Sequence, residues 1–143
     1  ETVDEKPSFK RLLAKRRCLI LADGFYEWKT VDGKKQPYRI MMKNQQPFAF
    51  AGLWDRWAAE NEIITTCTII TTTSNDVVQD IHERMPVVLP EEQQTIWLDP
   101  SIQDPIELKP ILTPYEAEEM MAYEVSTLVN SPKNDLPELI NSL

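Results

Sequence analysis

Phe25-Tyr26-Glu27-Trp28-Lys29-Thr30, followed by Asp32-Gly33 and then Pro37 to Met42, decides the fold, because these runs together read as one β-hairpin. The first run is rich in aromatic residues, which suit a pleated, half-buried surface. Asp-Gly between two such runs is a strong hairpin signal, since both central residues of a tight I′ turn need φ > 0. Upstream, Asp23-Gly24 separates this strand from another at Arg17 to Ala22. Period-2 alternation sets Glu27 on the face opposite Tyr26 and Trp28. A carboxylate in so apolar a strand is either an edge residue facing water or a group held for chemistry, and the strand alone leaves both readings open.

The hairpin sits in a chain of alternating short elements. Pro7 to Lys15 reads as a helix, with Phe9, Leu12 and Leu13 at helical spacing and the bases on the other side. Phe48 to Trp57 is a strand, and Ala59 to Glu62 turns it into Ile63 to Thr72, whose β-branched content places it in the middle of a sheet. Ser74-Asn75-Asp76 caps a short helix through Val77, Val78 and Ile81. Pro86 to Leu89 is a strand, Pro90 opens a helix ending near Trp97, and Pro114 to Met121 is another helix. Tyr123 to Val129 returns as a strand, and Leu136 to Leu143 is a weak terminal helix or tail. Eleven prolines against three glycines point to stiff connections, with no repeat or interdomain spacer. The sum is a single α+β domain: a mainly antiparallel, curved sheet or open barrel with short peripheral helices.

The net charge of −8 argues against a general nucleic-acid binder until its distribution is read. Lys6 to Arg17 holds six bases and no acid, whereas Pro90 to Glu124 holds nine acids against Lys109. A basic side with an acidic far face permits phosphate contact, and equally a charge run is often only a solvated helix face. Cys18 and Cys67 both lie in apolar runs and read as small buried side chains. With one histidine and two scattered cysteines there is no metal-ligand spacing, and no metal or cofactor is expected. No apolar run is long enough to span a membrane, and no secretion signal is seen, so the expected location is the cytoplasm or nucleoid.

The one histidine lies in Asp80-Ile81-His82-Glu83-Arg84-Met85-Pro86, at the C-terminal end of the helix expected there, where the last carbonyls favour a protonated imidazole. Histidine is the side chain whose ordinary pKa lies near neutrality, so a proton relay near pH 7 runs most naturally through it. The competing reading is a satisfied, partly buried imidazole with a structural role. Of the four tryptophans, Trp54, Trp57 and Trp97 read as core, with Trp28 set apart by its place beside Glu27.

Five segments carry a family resemblance: GFYEWK (Gly24 to Lys29), AFAGLW (Ala49 to Trp54), CTIITTTSN (Cys67 to Asn75), DIHERMPVVL (Asp80 to Leu89) and VNSPKND (Val129 to Asp135). In order and spacing they resemble the SRAP family of SOS-response-associated peptidases, over about residues 1 to 138. Members of that family begin Met-Cys-Gly-Arg and use the cysteine as nucleophile, whereas this chain begins at Glu1. The expectation is therefore residues 1–143 as the C-terminal portion of a single SRAP domain, inactive without the missing start. The resemblance implies that the intact protein crosslinks abasic sites in single-stranded DNA through a thiazolidine on its N-terminal cysteine. Glu27 and His82 would be the catalytic proton relays, and Arg84, Thr71 and Trp28 the DNA contacts. The alternatives are a cysteine-dependent peptidase acting on its own N-terminus, a hydrolase or lyase by class, or a non-catalytic interaction fragment. A monomer is expected. Further expectations are that Glu27 and His82 share one concave surface with Arg84 beside it, that Lys6 to Arg17 borders that surface with Pro90 to Glu124 turned away, and that Asn130 and Asn134 brace the site.

Overall fold

In a computed structural model, which describes residues Glu1–Leu143, the chain runs through α1 (Pro7–Lys15), β1 (Arg17–Ala22), β2 (Phe25–Val31), β3 (Lys34–Met42), β4 (Phe48–Ala58) and β5 (Ile63–Ile69). It continues through β6 (Thr71–Thr73), β7 (Arg84–Pro86), α2 (Glu91–Leu98), α3 (Pro105–Leu108) and β8 (Met120–Glu124), with single 3₁₀ turns between and after them. The fold is α+β, with antiparallel pairing throughout β2-β3-β8 and between β4 and β5. It divides into two compact units. One comprises Glu1–Leu21, Phe48–Thr72 and Pro86–Tyr115, and the other Ala22–Pro47, Thr73–Met85 and Glu116–Leu143.

In the first unit the sheet order is β1-β4-β5. Its core gathers Leu12 and Leu13 of α1, Ala51 and Leu53 of β4, Ile70, Val87, Leu89, Trp97, Leu108 and Ile111. Trp97 is fully buried, and its indole N–H donates to the Cys18 carbonyl at 2.9 Å, so the ring is satisfied at its polar end. Beside it lies Arg17. Nε donates to the Trp97 carbonyl (2.5 Å), one terminal nitrogen to Leu13 and Ala14 (2.6 and 3.1 Å), and the other to Asp99 and Ile102 (2.6 and 2.7 Å). Every nitrogen of the guanidinium thus meets a carbonyl at the end of α1, the end of α2 or the loop after it. Arg17 is therefore a structural residue and not part of a phosphate-binding face, and burial lowers its pKa.

In the second unit the order is β2-β3-β8, with Glu27 opposite Tyr38, Trp28 opposite Pro37 and Thr30 opposite Lys35. Asp32 and Gly33 take φ of 49° and 76°, the positive values the turn demands. Arg39 is the buried cation of this unit. It donates to the Tyr123 hydroxyl (3.0 Å) and the Asp23 carbonyl (3.4 Å), and pairs with the Asp23 carboxylate at 3.3 Å. A Cβ on Gly24 would meet Arg39 Nε at 2.8 Å, so glycine there lets the guanidinium lie against the backbone.

Six expectations from sequence are corrected. β5 is an edge strand exposed along its whole length, not a central one, because no further strand lies beyond it in the β1-β4-β5 order. Cys67, on that strand, is accordingly exposed, and Cys18 is half-buried with its thiol pushed up by burial. Trp97 alone of the expected core tryptophans is buried; Trp54 is half-buried and Trp57 is 65% exposed. No helix forms after Ser74: the Asn75 side chain accepts from the amides of Val77 and Val78 (both 3.2 Å), and the chain makes turns rather than a run of helical bonds. Pro114 to Met121 yields only a 3₁₀ turn at Ala117–Glu119 before β8, and the last strand ends at Glu124 rather than Val129.

Lysine keeps the charge at position 17 but has three donors on one nitrogen, so it cannot reach all the carbonyls that the guanidinium fork serves. Arg17→Lys should lower stability by about 2–4 kcal/mol, read as a lower urea midpoint at unchanged slope. Lys10→Ala, on the exposed side of α1, should stay within about 0.5 kcal/mol of the parent.

Candidate functional site

Within the second unit an open cleft of about 480 Å³ is lined by Glu27, Trp28, Lys35, His82 and Asn130. Glu27 and Trp28 are adjacent on β2, the edge strand of its sheet, so residues from both faces of one strand border the same space. Asn130 comes from the 3₁₀ turn Thr127–Asn130, whose first residues are capped by Ser126. Its Oδ1 accepts the Trp28 indole N–H at 2.6 Å and its Nδ2 donates to the Lys35 carbonyl at 3.2 Å. One amide side chain therefore fixes the Trp28 ring against both strands of the hairpin. Asn134 plays a local part, donating to the Leu128 carbonyl at 2.7 Å.

Burial raises the Glu27 pKa, and the nearby His82 charge and the Trp28 backbone N–H only partly oppose this. His82 is exposed, on the turn after Asn75, with its amide bonded to the Val78 carbonyl at 2.9 Å. Its Nδ1 lies 3.1 Å from both the amide nitrogen and the carbonyl oxygen of Arg84. The neutral ring accepts from that amide and the protonated ring donates to that carbonyl, so Nδ1 has a partner in either state. Nε2 is left for a substrate. A half-buried carboxylate and an exposed imidazole at one cleft can move protons at a bound sugar or carbonyl.

Arg84, on β7, reaches this arrangement through its backbone, and neither its side chain nor Thr71 is among the lining groups. Thr71 opens β6 and belongs to the first unit, as do Lys6 to Arg17; none of Pro90 to Glu124 lines the cleft. Lys35 is the lining residue that sequence reasoning missed. The signal was available in the hairpin register: Thr30 lies on the Trp28 face of β2, and Lys35 stands opposite Thr30, whose hydroxyl it bonds at 2.9 Å.

Because its pKa is raised, Glu27 holds a proton more tightly in the folded than in the unfolded chain. The stability this gives is present in acid and is lost as pH rises through the raised pKa. Glu27→Gln, which removes the buried negative charge, should raise the urea midpoint near pH 7 and leave it unchanged near about pH 4. An equal effect at both pH values would show that the side chain matters for packing alone.

A family model described as SOS response associated peptidase (SRAP) matches residues 1–132. The chain is 54% identical over 144 residues to the abasic site processing protein YoqW of Bacillus subtilis, covering 99% of this chain and 64% of that protein. It is 32% identical to the abasic site processing protein HMCES of Xenopus tropicalis, across the whole of this chain and 48% of that one. A crystal structure of a protein from Bacteroides thetaiotaomicron superposes with a TM-score of 0.90 at 34% identity, covering 99% of this chain and 63% of its own. The chain thus spans less than two thirds of the relatives it matches, and in both units its sequence follows theirs: it belongs to the SRAP family.

Proposed function

We propose that this chain is the C-terminal portion of a single SRAP domain that processes abasic sites in single-stranded DNA, with the Glu27–His82 cleft as its catalytic centre. The observation that carries the reading is a carboxylate of raised pKa and an imidazole with a free Nε2 lining one open cleft. An abasic deoxyribose must open to its aldehyde before it can react. His82 Nε2–H donates to the ring oxygen as the C1–O bond breaks, and Glu27 accepts the hydroxyl proton. An N-terminal cysteine, as in the family this chain resembles, then adds its α-amine to the aldehyde. Loss of water gives the imine, and addition of the thiol to that carbon closes a thiazolidine, which joins protein to DNA. Glu27, protonated more readily than an ordinary carboxylate, supplies the proton that turns the departing hydroxyl into water.

DNA is held by contacts to its backbone. Arg84 offers a planar guanidinium fork to a flanking phosphate, and Trp28, braced by Asn130, offers an aromatic face to the nucleotide beside the lesion. Lys35 at the cleft adds a point charge for a phosphate. No metal or other cofactor enters these steps. The setting is the cytoplasm, at nucleoid DNA, and the working form is a monomer. No helix of the chain is long and apolar enough to cross a membrane.

The test uses this chain extended at Glu1 by the N-terminal residues of YoqW, so that the protein begins with cysteine. Incubated with an abasic single-stranded oligonucleotide, it should give a shifted band on a denaturing gel, whereas the 143-residue chain should not. Glu27→Ala and His82→Ala should each slow band formation by roughly 10²–10⁴-fold. No band from the extended chain sinks the reading, and unchanged rates in both variants return the two residues to a structural role. Lys35→Ala should leave the rate at saturating DNA unchanged and make the salt dependence of binding shallower by about 0.7.

A further inference from the structure

Arg16 and Arg56 are two cations of the first unit that no step above uses. Arg17 is consumed by carbonyls, and Arg11 by Asp55 at 2.9 Å. Arg16 and Arg56 instead converge on one indole: the Arg16 guanidinium carbon lies 4.2 Å from the centre of the Trp54 ring, and that of Arg56 lies 5.4 Å from it. Strand geometry puts them there. The Trp54 amide donates to the Arg16 carbonyl at 2.9 Å, which sets these two residues side by side. Arg56 comes two residues after Trp54 and so shares its face of β4.

Neither guanidinium meets a carboxylate. The acid between Trp54 and Arg56 is Asp55, which alternation turns to the opposite face; there Arg11 holds one oxygen, while the other accepts the Arg56 amide at 2.9 Å. The residues opposite on β5 are Cys67 and Thr65, and Glu60 and Glu62 lie beyond the end of β4 in the hairpin turn. Two cations on one ring are separated by no more than about one Debye length and repel each other. In a chain with 23 acids and 15 bases, leaving both without an acid calls for an anion from outside. Stacking uses the face of a guanidinium and keeps its N–H edge free for an oxyanion, and its planar fork matches a phosphodiester.

We propose that Arg16, Trp54 and Arg56 form a phosphodiester-binding site that takes two backbone phosphates of a nucleic-acid single strand. The assignment rests on the reading that the chain acts on DNA. A strand fits better than free phosphate because two cations meet at one ring and offer a place for more than one anion. Being made of backbone contacts, the site should not distinguish a damaged strand from an intact one.

The experiment is fluorescence anisotropy with the 143-residue chain and a labelled, intact single-stranded oligonucleotide of about 12 nucleotides, from about 50 to 200 mM salt. Arg16→Gln with Arg56→Gln should weaken binding roughly tenfold at the low-salt end and make the plot of log K against log salt shallower by about 1.4. The loss should be the same on a strand carrying an abasic analogue. Arg16→Lys with Arg56→Lys, which keeps both charges, should restore the slope, and its thermal unfolding should match the parent's. Unaltered affinity and slope in the glutamine pair overturns the site while leaving the Glu27–His82 reading intact, since that one is judged by crosslinking in the extended chain. A parent chain that binds no intact strand overturns it too. So does inorganic phosphate shifting the Trp54 indole N–H resonance where the oligonucleotide does not.

Discussion

A cation removed from water must have its N–H groups bonded, and both units are arranged around that constraint. In the first, Arg17 gathers carbonyls from the ends of α1 and α2 and from the loop after α2, groups that a helix terminus cannot satisfy by itself. Trp97, a member of the core, bridges from α2 to the Cys18 carbonyl. In the second, Arg39 joins β3 to Tyr123 of β8 and to Asp23 at the break before β2. Burial pulls its pKa down, but the bonds to Tyr123 and Asp23 more than offset this. β2 leaves that anchored break with a fixed register, and the register brings Glu27 and Trp28 to the cleft.

What could be read from sequence was what local chemistry decides. The β2–β3 hairpin comes from Asp-Gly and the runs around it, β1 has the expected limits, and α1 and α2 begin at or just after a proline. What failed depended on neighbours. Ile63 to Ile69 has the composition of a central strand, yet its place at an edge is set by which strands pair with β4, and no residue of β5 encodes that by itself. The misplacement of Cys67 has the same origin, since residue and strand alike were assigned to an interior that the sheet order denies them. The turn after Asn75 failed differently: an Asn side chain that caps a helix can equally close a turn, and the difference lies in whether the chain beyond it goes on making helical bonds. At the cleft, Glu27 and His82 stood out as chemically costly or singular residues, whereas Lys35 is one of several lysines and becomes visible only through cross-strand register.

The basic run near the N-terminus shows why a charge pattern is not yet a surface. Arg17 ends in backbone carbonyls, Arg11 in an ion pair with Asp55, and Arg16 on the Trp54 ring. Three adjacent or near-adjacent guanidinium groups thus have three fates, decided by strand and helix geometry and not by their shared charge. The net charge of −8 is equally uninformative about partners, because a partner meets the cations left without acids and not the sum.

The cleft brings together two titratable groups that are held in different ways. Burial on β2 raises the Glu27 pKa, so its carboxyl keeps a proton more readily than an ordinary glutamate does. His82 sits exposed on its turn. The Arg84 peptide presents an amide and a carbonyl at the same distance from the His82 Nδ1. Arg84 therefore meets the cleft through its backbone, and replacing its side chain should leave the orientation of the imidazole intact.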